Sequence, residues 1–248
     1  MARLAPAVAT LGLALALVAA LALVVAGPGH RFGLWGLATG FMILRYAVYG
    51  AIAAAAISAV GLALAGFRGR RRGMFRALAG IAIGLIAVGL PASWLHTARS
   101  VPPIHDITTD IADPPAFDAI LPLRADAANP AVYGGEPVAA QQTEAYPDIA
   151  PLEVAAPPQQ AFDAALAAAS EQGWAIVAEA LEEGRIEAID RTFWFGFTDD
   201  IVVRIRAAGD GDGSRIDVRS TSRVGVSDMG TNAERVRAYL AELRERLG

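Results

Sequence analysis

Not one Asp or Glu occurs among residues 1–100, and all 25 acidic residues of this 248-residue chain lie beyond them. The first hundred residues carry nine Arg and are otherwise dominated by Ala, Leu, Val, Ile and Gly. A segment with so little polar surface, and with charge of one sign only, cannot clothe a water-soluble domain. The apolar excess falls in three runs, residues 4–26, 46–67 and 77–95. A helix of about 22 residues rises roughly 33 Å, enough to cross the hydrocarbon core of a bilayer. The pattern therefore predicts three transmembrane helices within residues 1–97. Residues 33–44, which follow Gly27-Pro28-Gly29, are too few to span and read as interfacial or as an extension of the second helix.

Orientation follows from the basic residues. Five Arg (Arg68, Arg70, Arg71, Arg72 and Arg76) lie between the second and third runs. Such loops stay cytoplasmic, which places residues 96–248 outside the cytoplasm and the chain in the plasma (inner) membrane. A rival reading makes the first run a signal peptide cleaved after Val24-Val25-Ala26; it leaves the second half on the same side. No carboxylate or His lies within a span, which argues against proton relays, ion-coupled transport and intramembrane proteolysis. Gly80 and Gly84 allow close helix packing, either in a compact three-helix anchor or across a homodimer face. The chain has no Cys and no Lys, which excludes disulfides, thiolate metal sites and cysteine nucleophiles.

Residues 98–156 read as a Pro-rich, acidic, extended arm. Its Ile104, Ile107, Phe117, Ile120, Leu121, Leu123, Val132, Tyr133, Tyr146, Ile149 and Leu152 are anchors that a disordered linker would not need. Between residues 101 and 183 there are 14 acids against the single Arg124, whereas residues 184–248 hold 11 of each sign. An acidic arm lying on an arginine-rich body is the simplest arrangement. The body, residues 157–248, opens with a helix started by Pro157-Pro158 and stopped by Gly173. Four β-rich runs follow, residues 174–181, 185–197, 201–207 and 214–224, with Thr198-Asp199-Asp200 among the turns. Thr231-Asn-Ala-Glu234 has capping-box spacing, and Val236, Tyr239, Leu240, Leu243 and Leu247 then trace one face of a final helix. The expected class is α+β: three transmembrane helices, then an extracytoplasmic α–β–β–β–β–α domain with an antiparallel sheet.

Ile104-His-Asp-Ile-Thr-Thr-Asp110, Asp113-Pro-Pro-Ala-Phe117 and Ala145-Tyr-Pro-Asp-Ile149 form an ordered set of motifs. Asp217-Val-Arg-Ser-Thr-Ser-Arg223 completes it, followed by Gly225, Ser227-Asp228, Gly230 and Asn232-Ala233. Together they resemble a bacterial family known only as domain of unknown function 1499, over about residues 101–245, and the apolar runs before them are similar to its membrane-anchored members. The resemblance implies one structural unit and no reaction.

Candidate chemistry is sparse. His105, Asp106 and Asp110 are weak candidates for a metal site; the same residues also serve as satisfiers of turn amides. Asp210-Gly-Asp212 has a faint calcium-loop character but lacks the terminal Glu such a loop needs, and suits a hairpin turn. Ser220, Ser222 or Ser227 would need His30, His96 or His105 as a base, and two of those sit at the membrane boundary. The alternation is more suggestive. Arg215, Asp217, Arg219, Thr221 and Arg223 share one strand face, and Arg204 and Arg206 share another. One reading is a salt-bridged face closed by Asp217, Asp190 or the arm. The other is an anion-binding surface formed by Arg204, Arg219, Arg223, Asp228, Asn232 and Arg235. No motif calls for a cofactor, and an acidic domain outside the cytoplasm is unsuited to nucleic acid. The residues favour an envelope module that binds an anionic ligand or a partner protein, against the alternative of an enzyme with a metal at His105, Asp106 and Asp110.

Overall fold

A computed structural model describes residues 4–66, 71–209 and 213–248. Arg68 and Arg70 of the basic loop, the side chains of Arg71 and Arg72, and the Asp210/Asp212 turn lie outside what is described. The chain forms two units, Met1–Thr97 with Phe193–Gly196, and Ala98–Thr192 with Phe197–Gly248.

The first unit contains α1 (Leu4–Arg31), α2 (Leu37–Gly66) and α3 (Arg71–Ser100). All three are long and apolar enough to cross a membrane. Residues 33–44 prove to be mostly an extension of the second helix, which starts at Leu37. The first helix continues through Gly27-Pro28-Gly29 to Arg31. Pro28 has no N–H to give the carbonyl four residues back, and the Trp194 indole N–H donates to that Val24 carbonyl instead, at 3.2 Å. Small residues line the helix contacts. Gly12 and Gly80 both face Ser58, Gly61 faces the backbone of Ala9, and Gly84 faces Ala51 and Ala55. The Gly80/Gly84 face of α3 is thus used within the bundle. Gly80→Leu is expected to destabilise the full-length protein in detergent by about 1–3 kcal/mol, an overpacking cost. Gly89→Leu should be neutral, because among the described residues nothing lies within 4 Å of the place a Cβ would take. Equal melting temperatures for the two variants would refute this packing.

The second unit is α+β, as its alternating pattern predicts. Its elements are β1 (Asp106–Thr108), α4 (Glu136–Ala145), β2 (Leu152–Val154), α5 (Pro158–Glu171), β3 (Ala175–Ala180), β4 (Arg185–Arg191), β5 (Thr198–Ala207), β6 (Ser214–Ser222) and α6 (Thr231–Leu247). The antiparallel sheet runs β1-β6-β5-β4-β3, and β2 also pairs with β6. The sheet is therefore six-stranded rather than four-stranded, because the arm contributes β1 and β2 to the free edge of β6. Ile201, Val203, Ile205, Ile216 and Val218 pack against Phe162 of α5 and Val236, Tyr239 and Leu240 of α6. The Tyr239 hydroxyl donates to the Ala165 carbonyl at 2.7 Å and ties the two helices together. Ile104, Ile107, Tyr146, Ile149 and Leu152 of the arm join this same core, while Leu121, Leu123 and Val132 stay exposed.

Three local expectations need correction. Thr198-Asp199-Asp200 opens β5 instead of forming a turn; the chain reverses at residues 192–197, where Gly196 has φ +70°. β4 accordingly ends at Arg191, and the aromatic run from Phe193 to Phe197, strand-like by propensity, is the reversal itself. The final helix has no capping box. Gly230 occupies the N-cap in a left-handed conformation, and the Asp228 carboxylate accepts from the N–H groups of Gly230 and Asn232, both at 2.8 Å.

Candidate functional site

Period-two alternation puts Arg215, Asp217, Arg219 and Thr221 of β6, and Arg223 just after it, on the sheet face opposite α5 and α6, beside Asp200, Val202, Arg204 and Arg206 of β5. The arm crosses this face, with Phe117 and Ile120 packed on Val202. Arm and sheet meet in a dense set of guanidinium–carboxylate pairs.

The first cluster lies at the start of β6. Asp217 is fully buried and accepts from Arg204 at 3.0 Å, Arg206 at 2.8 Å and Arg215 at 3.2 Å. Asp110 of the arm accepts from Arg215 at 2.8 Å and from the N–H groups of Ala112 and Asp113. The Asp113 carboxylate takes both Arg204 and Arg206 at 3.1 Å. Burial works to raise the Asp110 carboxyl, but the Asp113 amide, Arg215, the Ala112 amide and Arg204 together hold it below the ordinary carboxylate range.

One step along β6, Arg219 grips Asp106 of β1 through two parallel bonds of 2.9 and 2.7 Å. The pair is almost wholly enclosed, with side chains 3% and 6% exposed. The same guanidinium donates to the Pro115 and Ala131 carbonyls and lies over the Phe117 and Tyr133 rings. Farther on, Asp200 accepts from Arg223 at 2.7–3.0 Å and lies 3.4 Å from Arg124. Glu187 of β4, also fully buried, accepts from the N–H groups of Asp118, Ala119 and Ile120 and pairs with Arg185 at 3.0 Å. A strand carboxylate thus holds the start of the 3-10 turn Leu121–Arg124.

The helix face has its own polar corner, where β6 gives way to α6. Arg235 donates to Asp190 at 2.8 Å and Asp199 at 2.7 Å, and also to the Asn232 side-chain oxygen. The Asn232 amide reaches the Ser222 hydroxyl and the His105 carbonyl, both at 3.0 Å, and the Ser220 hydroxyl donates to the Asn232 oxygen. Burial raises the Asp199 carboxyl even though Arg235 opposes the shift.

The six residues predicted to bind an anion are therefore divided. Arg204, Arg219 and Arg223 lie on the arm face, whereas Asp228, Asn232 and Arg235 form the corner on the opposite face. All six have partners within the chain. His105, Asp106 and Asp110 are not brought together: Asp106 faces Arg219, Asp110 faces Arg215, and the His105 ring lies 3.4 Å from the Val226 carbonyl. Among the described residues no three His, Cys, Asp or Glu side chains are placed to hold a metal ion.

The sequence reading overlooked Glu187, Asp200 and Gln142. Gln142 of α4 is buried and pairs with the backbone of Thr108, accepting at 3.0 Å and donating at 2.6 Å as a neighbouring strand would. Glu187 carried a usable signal, since it is a carboxylate set between Ile186 and Ala188 in a strand, which a buried position tolerates only with donors around it.

Among comparisons with known proteins, the family model described as "Protein of unknown function (DUF1499)" matches residues 106–243, more than half of the chain. No curated protein and no solved structure matches.

Proposed function

The chain belongs to the DUF1499 family of proteins of unknown function, and from that premise we propose that it is a plasma-membrane-anchored module whose folded second unit lies outside the cytoplasm. In this reading it acts by binding an anionic ligand or a partner protein, without turning over a substrate. The observation that carries the reading is the five-arginine stretch, residues 68–76, between the acid-free apolar runs 46–67 and 77–95; such basic segments favour the cytoplasmic side, which supports an extracytoplasmic position for everything after α3. The occupied charges support the non-catalytic half of the reading. A general acid or base must be tuned and within reach of a substrate proton, whereas Asp106, Asp110, Asp200, Asp217 and Glu187 are held by guanidiniums and backbone amides. An envelope enzyme built on His105, Asp106 and Asp110 has less support, because the two carboxylates have other partners.

Reporter fusions test the topology. An enzyme that functions only outside the cytoplasm should be active when fused after Gly248 and inactive when inserted between Arg72 and Gly73. The opposite pattern overturns the localisation and the function argued from it.

A further inference from the structure

We propose that the arm and sheet enclose a site for one small monovalent anion of halide size, bounded by Arg124 Nη1, the Tyr133 hydroxyl and Thr221 Oγ1. The proposal rests on the anion-binding half of the reading above and not on the membrane topology, so a failed reporter assay and a failed anion titration overturn different statements.

Arg124, Arg219 and Arg223 share this part of the face with two carboxylates, Asp106 and Asp200. Asp106 is taken up by both bonds from Arg219. Asp200 is shared between Arg223 and Arg124. The next carboxylate across the sheet, Glu187, is two strands from Arg219 in register and is committed to Arg185 and three backbone amides. One positive charge is left over among the three guanidiniums; that of Arg124, with a side chain only 3% exposed, lies 3.4 Å from the shared Asp200 and donates through Nη2 to the Asn129 and Pro130 carbonyls, while its Nη1 has no acceptor among the described residues. Burying an uncompensated charge is among the costliest arrangements a protein can hold.

The hydrogen-bond inventory points to the same place. Arg124 Nη1, the Tyr133 hydroxyl and Thr221 Oγ1 are all buried and have no hydrogen-bond partner among the described residues. All three residues neighbour the Asp106, Arg219 and Asp200 group. Thr221 is in register with Asp106 on one side and with Asp200 on the other. The Arg124 and Arg219 guanidiniums both lie over the Phe117 ring, at 5.6 and 5.0 Å, and Arg219 lies 5.5 Å from the Tyr133 ring centre. Burial and the Asp106 charge push the Tyr133 phenol up to about 12, so it remains a donor.

Three donors and one surplus positive charge suit a single anion. Water would complete the hydrogen bonds and leave the charge. A divalent oxyanion would reverse the charge and require more donors than these.

The test is thermal unfolding of the full-length protein in non-ionic detergent at constant ionic strength, with sodium gluconate replaced stepwise by sodium chloride. Chloride should raise the melting temperature along a saturating curve, and Arg124→Gln should remove that increment, while Arg191→Gln at an exposed position keeps it. Should Arg124→Gln fail to fold, Thr221→Val removes one donor and should raise the half-saturating chloride concentration by roughly tenfold, as loss of a hydrogen bond to a charged group does. A melting temperature indifferent to the exchange overturns the proposal. So does a chloride increment that Thr221→Val leaves unchanged, or sulfate stabilising the wild type over Arg124→Gln more strongly than chloride does.

Discussion

A chain whose residues 102–156 are replaced by a short Gly/Ser linker is expected to show no cooperative unfolding of its second unit. The arm is integral to that unit. β1 and β2 occupy the edge of β6, and Ile104, Ile107, Tyr146, Ile149 and Leu152 sit in the core beneath α5 and α6. Phe117 and Ile120 cover Val202 on the other face. Burial of each large apolar side chain contributes about 1.5–3 kcal/mol, so these seven together, roughly 10–21 kcal/mol, are comparable to the whole margin of a typical domain, about 5–15 kcal/mol. The deletion also removes Asp106, Asp110 and Asp113, leaving Arg204, Arg206 and Arg215 to share Asp217 and stripping Arg219 of its carboxylate. Scanning calorimetry of the deleted and parent chains in the same detergent settles the point. A transition persisting within a few degrees of the parent would mean that the arm is only a tether.

Much of this architecture is legible from the residues. The acid-free first hundred residues leave long apolar helices as the only economical solution, and the alternation Arg215, Asp217, Arg219, Thr221, Arg223 announces a strand with one polar face. What the chain does with that polar face is harder to see, because its partners lie far away along the sequence. Arg124 reads as an isolated cation in an acidic stretch, yet it lies beside Asp200, 76 positions later. Asp199-Asp200 reads as a turn because adjacent aspartates usually need water. Here they fall on opposite faces of β5, one met by Arg235 and the other by Arg223, and that pairing is tertiary. Gln142 has no local signature at all; its role as a substitute strand exists only once α4 lies against β1. The helix start at Gly230 is a competition between two plausible caps. Thr231 and Glu234 have the right spacing, but Asp228 reaches two amides first, once a left-handed glycine turns the chain.

The largest point-mutation effect on the sheet face is expected at Arg219. Arg219→Ala should destabilise the protein by roughly 3–5 kcal/mol, the magnitude for breaking a buried ion pair by removing one partner. Asp106 would be left with no guanidinium in an enclosed site, and the Pro115 and Ala131 carbonyls would lose their donor. Arg237→Ala is the matching control. Its pair with Asp148 is equally short, at 2.6 Å, but the side chains are 40% and 54% exposed, and exposed pairs contribute only about 0–1 kcal/mol. Full-length variants compared by denaturant unfolding in one detergent should therefore separate by several kcal/mol although the two ion pairs look alike in distance. The double variant Asp106→Leu with Arg219→Met distinguishes charge stranding from lost packing. With both charges gone the desolvation penalty disappears, and much of the stability should return. Failure of the double variant to recover would assign the loss to the guanidinium's contacts with Phe117, Tyr133 and the arm carbonyls. In that case the pair fastens the arm chiefly through what surrounds it, and Asp106→Asn alone should then be mild.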